Sequence, residues 1–219
     1  MIVAIDGPAG SGKGSVTKLI AKRTGLLNLD TGITYRCVAL ASLQKGFELD
    51  QEKEIIDLAN QLEIECKYDR ENLRVFLNGE DVTREIRSNE VSSIVSQISS
   101  IIPVRLRMND IIRDMAKGKS VIAEGRDIGT CVFPNADVKI YLDANQEERA
   151  KRRFKENQEK GIGGTYDEIL ENIKLRDQND KNKKFGALKI ADDAIVIDST
   201  GLSVEQVADK IEDIIFNKK

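Results

Sequence analysis

The stretch that decides the fold is IVAIDGPAGSGKGSVT, Ile2 to Thr17. Ile2, Val3, Ala4 and Ile5 form an apolar run of the length expected for a buried parallel strand, ended by Asp6 and Gly7. A glycine-rich turn follows, and then a segment with helical spacing. Gly7, Gly12 and Lys13 satisfy G-x-x-x-x-G-K, the phosphate-binding loop. The spacing has a mechanical reason: Gly7, Gly10 and Gly12 reach backbone angles closed to other residues, so successive N–H groups turn inward around an anion. The helix starting near Lys13 adds the positive end of its dipole. Lys13 itself supplies a full charge for the β- and γ-phosphates of a nucleoside triphosphate.

The hydroxyl that usually follows the lysine comes one residue late, because Gly14 precedes Ser15. This G-K-G-S order resembles the G-K-G-T of nucleoside monophosphate kinases. Ser15 is therefore the candidate hydroxyl ligand for Mg²⁺.

Composition narrows the chemistry further. A chain of 219 residues with 32% charged and 40% hydrophobic residues is an ordinary globular balance, long enough for a substantial core. The net charge of −3 gives no global attraction to nucleic acid or to an anionic membrane, and neither is expected as a partner. No run of 18 or more apolar residues exists and the first strand begins at residue 2, so a cytoplasmic location is expected. The three cysteines, Cys37, Cys66 and Cys131, lack C-x-x-C spacing and fit reduced, buried thiols. Histidine is absent. That removes Ser-His and Cys-His nucleophile pairs, histidine bases and histidine metal ligands. Lys, Arg, carboxylates and Mg²⁺ remain, and phosphoryl transfer is a chemistry that runs on them.

The rest of the chain alternates strand and helix patterns. Leu26–Leu29, Ser120–Ala123, Val138–Leu142 and Ala194–Ile197 join the first strand as about five parallel strands, the pattern of a doubly wound α/β sheet. A helix is expected from Asp50 to about Leu62. Period-two alternation at Ile64, Cys66, Tyr68 and at Leu73, Val75, Leu77, with Asn78-Gly79 as a tight turn, predicts a small antiparallel β lobe inserted in the α/β chain. Helices are expected over Asn89–Ser100 and Pro103–Ala116, and a capping box at Ser203 and Gln206 opens the last helix.

One segment falls where ligands bind, beyond the carboxyl end of a strand. Asp30-Thr31-Gly32 with Tyr35-Arg36 could hold a second phosphate; the alternative is a helix capped by Thr31 and a surface arginine. Between Glu147 and Lys160, a basic helix carries Arg149, Lys151, Arg152 and Arg153. Gly161, Gly163 and Gly164 break it, and a second charged helix runs from Tyr166 to about Asp180. Such charge runs are commonly solvated faces, but a hinged pair of cationic helices also suits a lid over a nucleotide.

Assembled in order, IDGPAGSGKGS, LDTGITYR, VSQIS, EGRDIGT, VKIYLDA with ERAKRR, and IKLRDQND resemble the bacterial cytidylate kinase family nearly end to end. The resemblance implies a single P-loop kinase domain over 1–219, with an acceptor-binding insert at about 31–118 and a lid at about 146–183. It implies ATP-dependent phosphorylation of CMP, and of dCMP, by a monomer using Mg²⁺. ATP would be held by Gly7, Pro8, Ala9, Gly10, Ser11, Gly12, Lys13, Gly14 and Ser15, with Arg152 from the lid.

The acceptor phosphate would meet Thr31 and Arg36, with Tyr35 beside them, and Arg126 would bridge toward phosphate. Cytosine would be read by Ser96, Arg105 and Asp127. A carboxylate accepts from the exocyclic amine of cytosine and repels the oxygen that uracil carries there. Arg176 and Asp180 match residues near the acceptor phosphate and sugar hydroxyls, and Lys183 stands where the family has arginine. Lys13, Arg126 and Arg176 are the implied catalytic cations. Asn179 replaces another arginine of relatives, and Glu124 stands where many have aspartate and takes no assigned role. A kinase for another monophosphate and a nucleotide-state switch are the other readings. The switch lacks N-K-x-D, and its only D-x-x-G, Asp198–Gly201, follows the last strand.

Overall fold

The structure is a computed structural model that describes residues 1–69, 72–159 and 161–217. These fall into two compact units, Met1–Asp30 with Lys119–Lys219, and Thr31–Gly118.

The first unit holds the strands β1 (Ile2–Asp6), β2 (Leu27–Asp30), β6 (Val121–Gly125), β7 (Val138–Asp143) and β8 (Ile195–Asp198). Its helices are α1 (Lys13–Thr24), α6 (Gln146–Glu159), α7 (Tyr166–Lys181) and α8 (Val204–Asn217). The strands make one sheet in the order β2-β6-β1-β7-β8, every pair parallel. All five expected strands are present, so the doubly wound α/β class holds. Every strand runs past its expected end: those expected to close at Ile5, Leu29, Ala123, Leu142 and Ile197 reach Asp6, Asp30, Gly125, Asp143 and Asp198. Apolar pattern marks burial, whereas the strand end is set by ladder pairing, here Asp6 opposite Gly125 and Asp143 opposite Asp198.

The packing explains why the glycine loop lies at the centre. Val3, Ile5, Ile122, Ile140 and Leu142 of the sheet pack with Val16 and Ile20 of α1 and with Val207, Ala208, Ile211 and Ile215 of α8. β1 is the middle strand, and the register brings Asp6, Glu124 and Asp30 to the same carboxyl edge. α6 and α7 share a small core of Ala150, Ile169 and Ile173, with Phe154 and Tyr166 edge to face at 6.5 Å. Thr165 opens α7 with a reciprocal capping box to Glu168, and Ser203 with Gln206 does the same before α8. The expected end of the basic helix at Lys160 lies outside the described residues.

The second unit packs α2 (Gly32–Lys45), α3 (Glu52–Gln61), α4 (Asn89–Ile98) and α5 (Ile102–Ala116) with the strands β3 (Ile64–Asp69), β4 (Asn72–Leu77) and β5 (Glu80–Asp81). Its core includes Cys37, Val38, Ile55, Ala59, Val75, Ile86, Ile98 and Met108. The antiparallel lobe has three strands in the order β3-β4-β5. Asn78 and Gly79, at φ 50° and 85°, form the turn from β4 to β5. The two-residue β5 has no apolar alternation of its own, which is why sequence pattern passed over it.

Candidate active site

The loop at Gly7–Gly12 is built against the sheet. A Cβ on Gly7 would run into the carbonyl oxygen of Leu142, so β7 leaves room there for glycine alone. Lys13 is buried, and its ammonium donates to the carbonyls of Gly7 at 2.8 Å and Pro8 at 2.7 Å and to Ser11 Oγ at 3.3 Å. Burial, reinforced by the nearby Arg126 and Arg176, pushes its pKa well down, while Glu124 and Asp6 pull the other way. A buried cation among other cations is a place for a polyanion.

Two carboxylates that sequence left without a role stand beside it. Glu124 ends β6 with its Oε1 3.1 Å from where a Cβ on Gly14 would lie. A side chain at position 14 would therefore press on the Glu124 carboxylate. Burial and the Asp30 carboxylate raise Glu124 to about 7, against Lys13, Arg126 and a hydrogen bond from Thr17. Asp6 accepts the N–H groups of Ile128 and Gly129, and burial lifts its pKa to about 6 in spite of those bonds.

The sequence-expected cations Arg126 and Arg176 both line one cavity of about 850 Å³ together with Lys13 and Glu124. Arg152 lines the same cavity, as do the apolar Leu202, Val204 and Val207. An open volume of that size, lined by both cationic and apolar side chains, suits a nucleotide. Arg126 Nε donates to Asp180 Oδ2 at 2.8 Å, and Lys183 lies 3.2 Å from Asp180 Oδ1. Burial works to raise the Asp180 pKa, but Arg126, Lys183 and Arg176 together carry it below the ordinary value. Lys183 is only 10% exposed, unlike the exposed Lys181 and Lys184 beside it.

The basic helix is only partly a solvated face. Lys151 and Arg153 are exposed, but Arg149 is buried and forms a two-pronged pair with Asp177 of α7 at 3.0 and 2.5 Å. The same guanidinium donates to the carbonyls of Ala9 in the loop and Ala144 after β7, each at 2.9 Å. Arg152 donates to Ser199 O at 2.6 Å and Ser199 Oγ at 3.1 Å, and Ser199 Oγ donates to Ser11 O at 3.2 Å. Sequence reasoning did not select Asp6, Thr17, Arg149, Asp177 or Ser199. The available signal was position: Asp6 and Ser199 sit at the carboxyl ends of strands.

The second unit brings together its own group. Thr31 is the residue preceding α2, and its hydroxyl makes no capping bond to that helix. Arg36 is half-buried, donating to Ile86 O and Ser92 Oγ, both at 3.0 Å, so it is no loose surface arginine. Arg105 is buried on α5, donates to Ser99 O at 2.9 Å and stands over the Tyr35 ring at 5.2 Å. Ser96 lies on α4, one turn before the carbonyl that receives Arg105. Asp127 belongs to the first unit and is buried immediately after Arg126. None of the three cysteines forms a disulfide, and burial pushes the Cys37 thiol up to about 12, far from a reactive thiolate.

A parallel sheet with a glycine loop and a buried lysine at the end of its central strand defines a P-loop nucleotide-binding protein. The cytidylate kinase family model matches residues 3–217, and the chain belongs to that family. A cytidylate kinase of Caldicellulosiruptor bescii is 47% identical over 214 residues, which cover 98% of this chain and 95% of that protein. One from Mannheimia succiniciproducens is 46% identical over 207 residues, covering 94% and 92%. Among solved structures, an uncharacterized protein from Eubacterium ventriosum is similar at a TM-score of 0.53 and 14% identity over 98% of each chain, a likeness of fold alone.

Proposed function

We propose that this chain transfers the γ-phosphoryl group of ATP to CMP and dCMP, giving ADP and the pyrimidine nucleoside diphosphate. The observation that carries the reading is the grouping of Lys13, Arg126 and Arg176 on one cavity, in a member of the cytidylate kinase family. ATP lies along Gly7 to Ser15, with Arg152 fixed against Ser199 beside the loop. Lys13 exchanges the loop carbonyls it now holds for oxygens of the β- and γ-phosphates.

Mg²⁺ fits the residues present. Among the described residues no three Asp, Glu, Cys or His side chains form a metal cage, and Mg²⁺ on a nucleotide takes most of its oxygens from phosphate and water. The exposed Ser15 hydroxyl on the cavity wall would supply the protein's oxygen. When bound, the ion neutralises charge on the β- and γ-phosphate oxygens.

A CMP oxygen bonds to the γ-phosphorus as the bond to the ADP oxygen breaks. The acceptor phosphate has a second pKa of about 6, so at neutral pH it is mostly dianionic and requires no base. Lys13, Arg126 and Arg176 neutralise the negative charge that spreads in the transition state. Thr31, Tyr35 and Arg36 bind the acceptor phosphate; Ser96, Arg105 and Asp127 read cytosine; Asp180, set by Arg126 and Lys183, faces the sugar. Residues of about 146–183 act as a lid. Its roots at Arg149 and Asp177 are tied to the loop, so closure is carried by the outer ends of α6 and α7.

A coupled assay with ATP and a panel of monophosphates tests this. CMP and dCMP should exceed UMP and AMP by at least about tenfold in kcat/KM, the discrimination of one hydrogen-bonded base edge. A preference for AMP or GMP would overturn the assignment.

A further inference from the structure

Ser199 follows the edge strand β8, yet its side chain reaches the loop fed by the central strand β1. Its backbone is held on both sides. The N–H donates to Asp143 O at 2.8 Å, one step past the β7–β8 ladder, and the carbonyl accepts from Leu202 N–H at 3.1 Å and from Arg152 at 2.6 Å. The residue is 1% exposed. A hydroxyl has one proton to give and lone pairs to receive with. Arg152 can only donate and a carbonyl oxygen only accept, so both directions are fixed: Arg152 gives to Ser199 Oγ at 3.1 Å, and Oγ gives to Ser11 O at 3.2 Å.

The Ser11 carbonyl shares its peptide with the Gly12 N–H. In a planar trans peptide the two point in opposite directions, so a bond that pins Ser11 O also sets the aim of the Gly12 N–H. Gly12 stands at φ 93°, and a glycine on that flank lets the peptide turn over at little steric cost. Arg152 Nη1 lies 3.5 Å from the same oxygen, so the serine makes the closer contact. We infer that Ser199 is a positioning residue for the donor loop: its hydroxyl holds the Ser11 carbonyl, and with it the Gly12 N–H faces the donor phosphates. This rests on the reading of Gly7 to Ser15 as the loop that carries ATP. Without the hydroxyl, the peptide spends part of its time with a carbonyl oxygen turned toward the phosphates, which repels them. Binding of the phosphate chain weakens, and the acceptor site is untouched.

Ser199→Ala removes the hydroxyl and little else. Ser199→Cys fills the same space with a weak donor, and repeats the test should the alanine variant fail to fold. Both are made in the wild-type chain and in Arg152→Met. The measurements are KM for ATP, KM for CMP, thermal melts, and the inhibition constant of inorganic tripolyphosphate competing with ATP at saturating CMP. Tripolyphosphate has neither base nor sugar, so it reports on the loop alone.

KM for ATP and the tripolyphosphate constant should both rise about three- to tenfold, the worth of one or two neutral hydrogen bonds, while KM for CMP changes by less than about twofold. Melting should fall by no more than about 8 °C. In Arg152→Met the serine substitution should still weaken tripolyphosphate at least about twofold, because the bond to Ser11 O does not need the arginine. A raised KM for ATP with an unchanged tripolyphosphate constant overturns the inference, as does an effect that vanishes in Arg152→Met: in either case the hydroxyl acts through the arginine and not through the loop. Equal rises for ATP, tripolyphosphate and CMP overturn it too, since they mark a structural role. Undiminished turnover of ATP by Lys13→Ala refutes instead the donor reading of the loop on which the inference stands.

Discussion

Asp177→Ala should destabilise this protein more than any surface charge substitution, because it strands a buried guanidinium. The Arg149 and Asp177 side chains are 3% and 6% exposed. With Asp177 gone, Arg149 retains only the Ala9 and Ala144 carbonyls, two neutral acceptors for a full charge. Breaking a buried pair in this way costs about 3–5 kcal/mol. For a chain of 219 residues, where each kcal/mol moves the melting temperature by about 2–4 °C, that is a fall of roughly 6–20 °C. Replacing both partners, Arg149→Met with Asp177→Leu, removes the stranded charge and should recover much of the loss. A deficit of about 1–3 kcal/mol remains, because the two carbonyls lose their donor.

Urea unfolding of Arg149→Met, Asp177→Leu and the double variant gives the coupling energy directly, and it should be at least about 2 kcal/mol. KM for ATP should rise in every variant lacking the guanidinium, because Ala9 is its anchor point in the loop. A loss below about 1 kcal/mol in Asp177→Ala, with coupling near zero, would place the pair among solvated ion pairs. The tether between α6, α7 and the loop would then be refuted.

Lys13→Ala should abolish transfer and leave CMP binding largely intact, since Lys13 acts on the donor phosphates; calorimetry showing equal loss of CMP affinity would contradict this. Lys183→Arg should keep its place on Asp180 and retain activity, whereas Lys183→Ala should lower kcat/KM about tenfold; an alanine effect under about twofold removes Lys183 from the site. Asp180 has a folded pKa below its unfolded one, so its stabilisation is present above the unfolded pKa and lost as pH falls through the folded pKa. Lys183→Ala should therefore shift acid unfolding to higher pH in a pH-jump denaturation series. Glu124 has the opposite sign. Raised from 4.5 to about 7, its charge destabilises the fold, a penalty absent below the unfolded pKa and complete above about pH 7. Glu124→Gln should gain up to roughly 3 kcal/mol at pH 8 and nothing near pH 4 in paired urea titrations; a pH-independent difference would contradict the shift.

What the sequence determined by itself is what contiguous residues determine. The strand, glycine loop and helix of 2–17 are legible because the anion cradle is made of neighbouring peptides and one lysine. The inner strands β1, β6 and β7 are legible because burial on both faces writes an apolar run, whereas the edge strand β8, with three of its four residues exposed, shows through its β-branched Ile195, Val196 and Ile197. The Asn78-Gly79 turn is legible because two positive φ angles demand those residue types. Glu124, by contrast, could be seen but not assigned: only the register that sets Asp30 opposite Glu124, and α1 with Gly14 beneath it, gives that carboxylate its raised pKa. Arg149 shows the same limit, since in a charge run it looks like its exposed neighbours Lys151 and Arg153. Its partner lies 28 residues away and its loop contact 140 away. The clamp of Asp6 on the turn spans 122 residues. Side-chain pairings across such separations leave no periodicity in the chain, because they depend on which strand ends the sheet sets side by side, and only the tertiary fold decides that.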